Sequence, residues 1–319
     1  MLNVKKYATE PTRMTRLSRR QLAAALAPVF CALGVQAADS PDATSAGPRT
    51  LPVTDGAAIT PDAPARPVMK ALPLWELGVG ASLLRLPDYR GADSYRGYVL
   101  PLPFVVYRGN FLRADREGAR AVLLDTSFAE LEVSLNASPP VYTDDSGARA
   151  GMRRVPATFE IGPKLRSTLL RTPGLRLNLE VPVRAVLTLE SSPRHVGNVF
   201  TPNLDLSVST GTPWRLGFVA GPLWASQGVN QRIYGVSAAE AIAGRPAYQA
   251  RGGYGGWQAL VGTSRRFERH WIGAFLRYDH VGGAVFGDSP LVRSRSNLSG
   301  GVAMSWIFAN SSEQVMRPD

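Results

Sequence analysis

Residues 298–308 read LSGGVAMSWIF, and their side chains alternate between two kinds. From Leu298 to Phe308 every second residue is large and apolar, apart from one glycine, whereas the residues between them are small except for Ile307. Because successive side chains of a β-strand point to opposite faces, this stretch predicts a strand with one bulky face and one narrow face. The bulky face would contact either the core of a soluble sandwich or the lipid around a membrane barrel.

The composition is typical of a folded, turn-rich protein and gives no support for nucleic-acid binding. The chain has 319 residues, of which 45% are hydrophobic and 19% charged, with 31 glycines and 25 prolines. This content of Gly and Pro suits an all-β protein with many turns. The formal net charge is +11, but residues 1–37 hold six basic residues and one acidic one, which leaves +6 for the remainder. No basic stripe with interleaved aromatic residues is present, so no nucleic-acid partner is expected.

Residues 1–37 have the three parts of a signal peptide. A basic RLSRR precedes the apolar run LAAALAPVFCALGV, and small residues follow. This pattern predicts cleavage between Ala37 and Ala38 after export from the cytoplasm, with translation starting at either Met1 or Met14. A run of about 14 apolar residues is too short to span a bilayer as a helix.

The only cysteine, Cys31, lies within this apolar run, so the expected mature protein has no thiol. That excludes disulfides, cysteine nucleophiles and cysteine-ligated metals. Residues 38–73 follow, rich in Pro, Ala, Asp and Thr and without a period of two or 3.6. This composition predicts a disordered periplasmic segment.

A period of two dominates residues 74–308 and predicts β-strands. The longest example is RLNLEVPVRAVLTL at 176–189, in which the odd-numbered residues are apolar and the even-numbered ones are polar or proline, except for Val186. The predicted strands run about ten to fourteen residues, whereas strands of soluble proteins average about five or six. A tilted strand that crosses a bilayer needs about 9–11 residues, so strand length favours a membrane barrel.

The predicted connections alternate in length, as in bacterial outer-membrane barrels with short periplasmic turns and long external loops. RTPG at 171–174 and FERH at 267–270 are short, whereas 139–156 and 227–253 are long. The longest, 227–253, would cap the lumen or contact an external partner, or else be a mobile surface loop without a partner. Its alanines at 238–243 predict one helical turn.

Counting back from Phe308 gives twelve strands, with ten as the alternative. A closed antiparallel barrel in one chain needs an even number, and an open edge cannot persist in hydrocarbon, where each unpaired backbone group costs several kcal/mol. The predicted strands are 74–86, 98–107, 110–116, 119–125, 128–138, 157–170, 175–189, 197–209, 213–226, 254–267, 270–281 and 297–308. The sequence thus predicts an all-β, transmembrane antiparallel up-and-down β-barrel over 74–308 in the cell outer membrane, followed by a C-terminal tail at 309–319.

Aromatic residues near the strand ends are expected to form interfacial girdles in contact with outer-membrane lipid and lipopolysaccharide. They are Trp75, Tyr107, Trp214, Trp224, Trp271, Trp306 and Phe308. Trp306 and Phe308 also form the predicted assembly signal for the barrel-insertion machinery. Eleven residues follow Phe308, so either the signal is read internally or the tail is a periplasmic appendage.

Seven stretches within roughly 75–308 form a distinctive ordered set. They are LRLPDYRGADSYRGYVLPLPFVVYRGNFLRADREGAR, LEVSLNASPPV, TFEIGPKL, VFTPNLDLSV, WRLGFVAGPLWA, IYGVSAAEAIAGRPAYQARGGYGGWQAL and WIGAFLRYDHVGGAVFGDSPLVRSRSNLSGGVAMSWIF. This set resembles the MipA/OmpV family of Gram-negative outer-membrane proteins. The resemblance implies an outer-membrane β-barrel without catalytic residues. MipA-like members hold a lytic transglycosylase and a bifunctional penicillin-binding synthase together at the murein, and OmpV-like members are linked to osmotic response, solute passage and host contact.

The polar faces of the predicted strands indicate a charged lumen. The residues expected to point inward are Glu130, Glu132, Glu160, Lys164, Arg166, Arg176, Glu180, Arg184, Asp205, Arg277 and Asp279. They would form either an ion-pair network that props and partly plugs a narrow barrel, or the lining of a small pore with weak charge selectivity. Twelve strands leave less room than the sixteen to eighteen of open porins, which disfavours bulk diffusion.

The histidines give little support for an enzyme. Asp279, His280 and Ser289 contain the groups of a hydrolase, but adjacent strand residues point to opposite faces, so Asp279 cannot easily orient His280. His195 and His270 lie in or beside predicted connections, and no cluster of histidines and carboxylates has metal-ligand spacing. We therefore expect no catalytic residues, metal or cofactor. The hypotheses are, in order, a non-enzymatic scaffold for murein hydrolase and synthase, a narrow solute channel, and a membrane-embedded hydrolase.

Overall fold

The computed structural model describes residues 69–115, 118–126, 128–143 and 147–318. The predicted signal peptide, its cleavage site and most of the predicted disordered segment lie outside the described residues. The described chain forms one closed antiparallel β-barrel and a separate two-stranded ribbon. The barrel segments are β2 (Trp75–Pro87), β3 (Tyr95–Arg108), β4 (Leu112–Asp115), β5 (Gly118–Asp125), β6 (Ala129–Ser138), β7 (Thr158–Thr172), β8 (Leu175–Thr188), β9 (His195–Phe200), β10 (Asn203–Ser209), β11 (Trp214–Ala225), β12 (Gly253–Arg266), β13 (His270–His280) and β14 (Ser296–Asn310).

The strands β9 and β10 are two halves of one strand of the barrel wall. Both pair with β8, one on each side of a break at Thr201 and Pro202. Pro202 has no N–H to donate, which interrupts the ladder at this point. With the two halves counted as one, the wall has twelve strands, and β14 pairs with β2 to close it. The predicted twelve-stranded barrel is confirmed.

The two faces of the last strand differ as the sequence predicts. Its small inward side chains include Ala303 and Ser305, which are buried. The outward residues are Leu298, Val302, Met304, Trp306 and Phe308, each at least half exposed. Because the barrel is a single closed sheet, this bulky face surrounds the molecule and does not pack against a second sheet. The soluble sandwich is therefore excluded.

The connections divide the barrel into a long-loop end and a short-turn end. The segments 139–157, 226–252 and 281–295 belong to the long-loop end, whereas 173–174 and 267–269 belong to the short-turn end. The alternation of loop lengths predicted from the sequence is thus confirmed.

The longest loop contains a helix that the sequence pattern did not predict, α1 (Gln227–Tyr234). The predicted alanine turn is present as a short 3-10 helix, Ala238–Glu240, which is held by a capping box between Ser237 and Glu240. Among the described residues, no helix has the length and apolar character to cross a membrane.

Two expectations about the chain ends are corrected. Residues 69–73 were assigned to the disordered segment, but they form strand β1 (Met69–Pro73). The tail after Phe308 continues β14 to Asn310 and then forms β15 (Gln314–Pro318), which pairs with β1. Barrel closure brings the two chain ends together at the short-turn end, and this proximity raises their effective concentration enough for a short ribbon to form.

The placement of Trp271 in a girdle is also wrong. Its side chain points into the barrel, is only 2% exposed and packs against Phe104, with ring centroids 6.4 Å apart. In β13 both alternating sets contain apolar residues, including Ile272 and Leu276 on one side and Phe275 on the other. Periodicity alone therefore does not decide which set faces lipid.

Candidate functional site

A chain of ion pairs crosses the inward faces of β5, β6, β7 and β8. The Glu132 carboxylate lies 3.1 Å from Arg120 Nε and 2.7 Å from Lys164 Nζ, and its side chain is 0% exposed. Lys164 Nζ also lies 3.3 Å from Glu180 Oε1, and Arg166 Nη2 lies 2.7 Å from the same oxygen. The strand register places Glu132 opposite Lys164 and Arg166 opposite Glu180. Because an unpaired buried charge costs several kcal/mol, each of these groups depends on its neighbours.

Two smaller charged groups flank this chain on the same side of the lumen. Towards the short-turn end, Arg113 contacts Asp125 at 2.8 Å and Glu130 at 2.9 Å. Towards the long-loop end, Arg184 Nη1 lies 3.9 Å from Glu160 Oε2, which also accepts a hydrogen bond from an asparagine amide. The ion pairs therefore extend over most of the height of this part of the wall.

A buried cluster at the short-turn end was missed by sequence reasoning. Glu76 of β2 is 1% exposed and contacts Arg108 of β3 at 2.8 Å and Arg266 of β12 at 2.6 Å. Glu76 occupies a polar position of its alternating strand, and this is the signal that could have identified it. Its partner on β12 is far away in sequence and reaches it only because the barrel closes.

At the long-loop end, the connection after β2 directs Arg90 towards the lumen. Arg90 Nε lies 2.9 Å from Asp279 Oδ1, and Arg277 Nη2 lies 2.8 Å from the same oxygen. Asp279 is buried. Arg90 was also missed, because a residue of a connection has no strand period that assigns its side chain to the lumen.

The remaining predicted lumen residues lie nearer the short-turn end. Asp205 is buried and accepts a hydrogen bond from Ser207 Oγ at 3.4 Å. Arg176, which is half-buried, lies opposite Ser207 in the register between β8 and β10. All the residues predicted to point inward are thus on the inner side of the wall, and a role for them in solute passage stays a prediction.

The other side of the lumen is filled with apolar side chains from β2, β3, β13 and β14. The cluster consists of Leu84, Leu100, Leu102, Phe104, Val106, Trp271, Phe275, Ala303 and Ile307. The small inward residues of β14 leave room for it, since a Cβ at Gly301 would lie 2.4 Å from Leu84 Cδ2. Glu132 and Trp271, on different sides of the lumen, have almost no accessible surface. Side chains from both sides of the wall therefore fill the lumen around these two residues.

The described residues of the long loops and of the connection after β2 form a cap at the long-loop end. Its apolar core includes Tyr89, Val141, Tyr234, Phe286 and Leu291. Tyr234 stacks on Phe286 with ring centroids 3.6 Å apart, and its hydroxyl donates to the Arg90 carbonyl at 2.9 Å. Tyr89 meets the Tyr234 ring edge-on, and its hydroxyl donates to the Leu291 carbonyl at 2.7 Å. Burial raises the pKa of the Tyr89 hydroxyl to about 12 and also raises the pKa of Tyr234. The longest loop thus covers the lumen, as one of its two predicted roles requires.

The helix α1 explains the single exception in the β8 pattern. Val186 is buried where the alternation requires a polar residue, and it packs with Val199 and Ala225 in a small cluster that Val229 of α1 completes. The exception in the sequence therefore marks the place where the cap rests on the wall.

A cavity of about 260 Å³ lies beneath the cap. Much of its lining is apolar and includes Leu86, Val141, Val155, Val186, Val196, Val229 and Ile233. Its polar lining includes Glu160, Arg277 and Asp279, together with Arg90. A pocket with apolar walls and a few polar groups is suited to a small amphipathic ligand.

The groups proposed for a hydrolase do not come together. Asp279 points into the lumen and pairs with arginine, whereas His280 is on the outward face and its Nδ1 lies 3.0 Å from Ser296 Oγ. Ser289 is buried in the cap, where its hydroxyl donates to the Tyr234 carbonyl at 2.7 Å. In the described part of the chain, no three His, Cys, Asp or Glu side chains are grouped closely enough to hold a metal ion.

Comparison with known proteins gives a family and several distant structures. A family model described as MltA-interacting protein MipA matches residues 79–308, well over half of the chain. No curated protein matches the chain significantly. A bacterial polysaccharide outer membrane secretin is similar at 12% identity, over 74% of this chain and 99% of that chain, with a TM-score of 0.34. A Pseudomonas aeruginosa FadL homologue is similar at 10% identity, over 74% of this chain and 90% of that chain, with a TM-score of 0.30.

Proposed function

Because the chain belongs to the MipA family and is an outer-membrane β-barrel protein, we propose that it is a non-enzymatic envelope scaffold. In this role it anchors a lytic transglycosylase and a penicillin-binding synthase at the murein. The observation that carries the proposal is the occluded lumen, in which Glu132 and Trp271 are both inaccessible to solvent. A barrel that is filled by ion pairs and apolar side chains offers a rigid platform in the membrane, whereas a pore requires an accessible lining.

The short-turn end is the surface that we assign to these partners. In outer-membrane barrels short turns face the periplasm, where murein lies. Besides the turns, this end of the described chain carries the ribbon of β1 and β15, in which Met316 is exposed. The ribbon is a sheet separate from the barrel wall, so a periplasmic enzyme could bind it without disturbing the strands that contact lipid.

Crosslinking followed by affinity purification from cell envelopes tests the scaffold. We expect the full-length protein to recover a lytic transglycosylase and a synthase, and a variant that lacks residues 312–319 to recover much less. A variant with Ala238–Glu240 replaced by glycines, which changes only the opposite end, is the matched control. Resistance of the folded barrel to detergent at room temperature shows that each variant is assembled. Recovery of no murein enzyme by the assembled full-length protein would contradict the proposal.

A narrow solute channel is the second candidate, favoured by the cavity beneath the cap and by charges of both signs along the lumen. Single-channel recording in planar bilayers separates the two functions. A scaffold with an occluded lumen gives no stable openings, whereas a channel gives openings of reproducible conductance. Openings that respond to substitution of Lys164 would favour the channel, because this side chain lies in the middle of the lumen.

A further inference from the structure

The barrel wall is interrupted between β3 and β6. β3 pairs with β2 from Tyr95 to Tyr107, but on its other edge it pairs with β4 only through Tyr107 and Arg108. The hairpin of β4 and β5 is short, and no strand in the described ranges pairs with β3 beyond it. The ladders of the described strands therefore leave a lateral opening above this hairpin, with β3 on one side and the end of β6 on the other.

This opening lies at the depth of the apolar band. Val99 points outward beside it and is 68% exposed, and its neighbour in register on β2 is Leu83, which is also exposed on the outward face. Lipid is therefore the medium that meets the opening from outside. In such a medium an edge with free backbone donors costs several kcal/mol per group.

The β3 edge has prolines at the positions that face the opening. The Arg108 N–H donates to the Leu74 carbonyl, on the side of β2. Backbone groups of a strand point alternately to its two sides, and the pairing with β2 has no shift, so the odd-numbered positions face the opening. Two of these are Pro101 and Pro103, which have no N–H. Proline is typical of strand edges that are left without a partner.

The β6 edge is protected in a different way. The Ala129 carbonyl accepts a hydrogen bond from Thr126 N at the β5 side, so the odd-numbered positions of β6 face that side. Beyond the last pair with β5, the Ala137 N–H donates at 2.8 Å to Oδ1 of Asn136, the preceding residue. Both edges thus have local features that lower the cost of an edge without a neighbouring strand.

The cavity beneath the cap extends to this opening. Ser138 and Pro139, at the end of β6, belong to its lining, as do Leu86 and Pro87 from the β2 end. Tyr142, in the loop after β6, bridges the rim, since the guanidinium of Arg96 on β3 lies 4.8 Å from its ring centroid. The cap and the inward side chains of the wall also line the cavity, and the opening in the wall gives it an approach from the side.

We propose that the barrel takes up small amphipathic molecules from the outer leaflet through this lateral opening into the cavity. The ligand class has one apolar ring or a short aliphatic chain and one polar group. The valines of the cavity would contact its apolar part, and Arg90 and Asp279 would contact its polar group. The volume of about 260 Å³ limits the ligand to roughly the size of two or three fused rings. This uptake is independent of the scaffold role.

The test uses the full chain in lipid nanodiscs and the fluorescent amine 1-aminoanthracene. In a Cys31→Ser background, Ser138→Cys provides one thiol at the opening and Ser209→Cys provides one at the exposed short-turn end of β10 as the matched control. Each protein is compared before and after reaction with N-phenylmaleimide, so folding is the same in both measurements. We expect saturable binding, with association slowed about tenfold by the modification at residue 138 and unchanged by that at residue 209. Val229→Phe, which reduces the cavity volume from the cap side, weakens binding about tenfold at equilibrium.

Two results would overturn the proposal. If the unmodified protein shows no saturable binding, the cavity does not take this ligand class. If the protein modified at residue 138 binds as fast as the unmodified one, the ligand reaches the cavity by another path. Pull-down of murein enzymes is unaffected by either outcome, so failure here is distinguishable from failure of the scaffold.

Discussion

The two sides of the lumen both contain buried side chains but are held together by different interactions. On β5 to β8, charged groups such as Glu132 and Lys164 are fixed by partners at 2.7 Å. On β2, β3, β13 and β14, side chains such as Trp271 and Phe104 are fixed by shape. The charged side specifies strand register, because a shifted strand would leave a buried charge unpaired. The apolar side contributes burial without this constraint and tolerates changes that conserve volume.

The largest expected change in stability comes from removing one charge of the ion-pair chain on β5 to β8. Glu132→Ala leaves Arg120 and Lys164 without this carboxylate in a buried setting, and we expect a loss of about 3–5 kcal/mol in the free energy of unfolding. Urea unfolding from phospholipid vesicles, followed by tryptophan fluorescence, measures it. Glu268→Ala, at an exposed turn, is the control and should change stability by about 0.5 kcal/mol or less. If Glu132→Ala changes the stability as little as Glu268→Ala, the charged groups of the ion-pair chain do not depend on one another.

A joint replacement sharpens the comparison. Arg120→Met, Glu132→Leu and Lys164→Met together remove the charges while filling their volume. Because burial of ions is costly even when they are paired, we expect this variant to be close to wild type or up to about 1–4 kcal/mol more stable. The same urea experiment measures it. If the triple variant is as unstable as Glu132→Ala, the charges contribute net stability and not only register.

A substitution between β14 and β2, the pair of strands that closes the barrel, is expected to have an intermediate effect on stability. A Cβ at Gly80 would lie 2.0 Å from the Met304 carbonyl oxygen, a backbone atom of the neighbouring strand. Gly80→Ala is therefore expected to cost about 1–3 kcal/mol in the free energy of unfolding, as overpacking does elsewhere. Gly97→Ala is the control, since the nearest atom there is 4.0 Å away. Equal stability of the two variants would mean that this pair of strands can shift to accept a methyl group.

The smallest effect concerns the cap, which lies at the long-loop end of the barrel. The pKa of Tyr89 is about 12 against an ordinary value of 10, so the folded cap holds a proton that the open form releases. Its contribution to stability is present below pH 10 and is lost as the pH rises towards 12. Ultraviolet absorbance of tyrosinate measures this titration, with Tyr89→Phe as the reference. Ionisation of Tyr89 near pH 10 in the closed cap would contradict the buried hydroxyl.

Much of the wall followed from local sequence pattern. Ten of the predicted strands agree with the wall strands to within a few residues, and the short pair β4 and β5 was also predicted. The charged positions of β6, β7 and β8 lie on the inward face that the alternation predicts, because most of their outward neighbours are apolar. The prediction failed at Trp271, where both faces of the strand are apolar, and at residues 69–73, where a composition without period concealed a strand.

The sequence by itself determined where the strands of the barrel wall lie and which face of most of them is bulky, because a period of two is a property of the backbone that each strand shows alone. Only the tertiary structure decided that Glu76 meets Arg266, that Trp271 fills the lumen, that the chain ends pair, and that the wall is open between β3 and β6. These features depend on barrel closure and on how far the short hairpin reaches, which bring together residues that no local pattern relates.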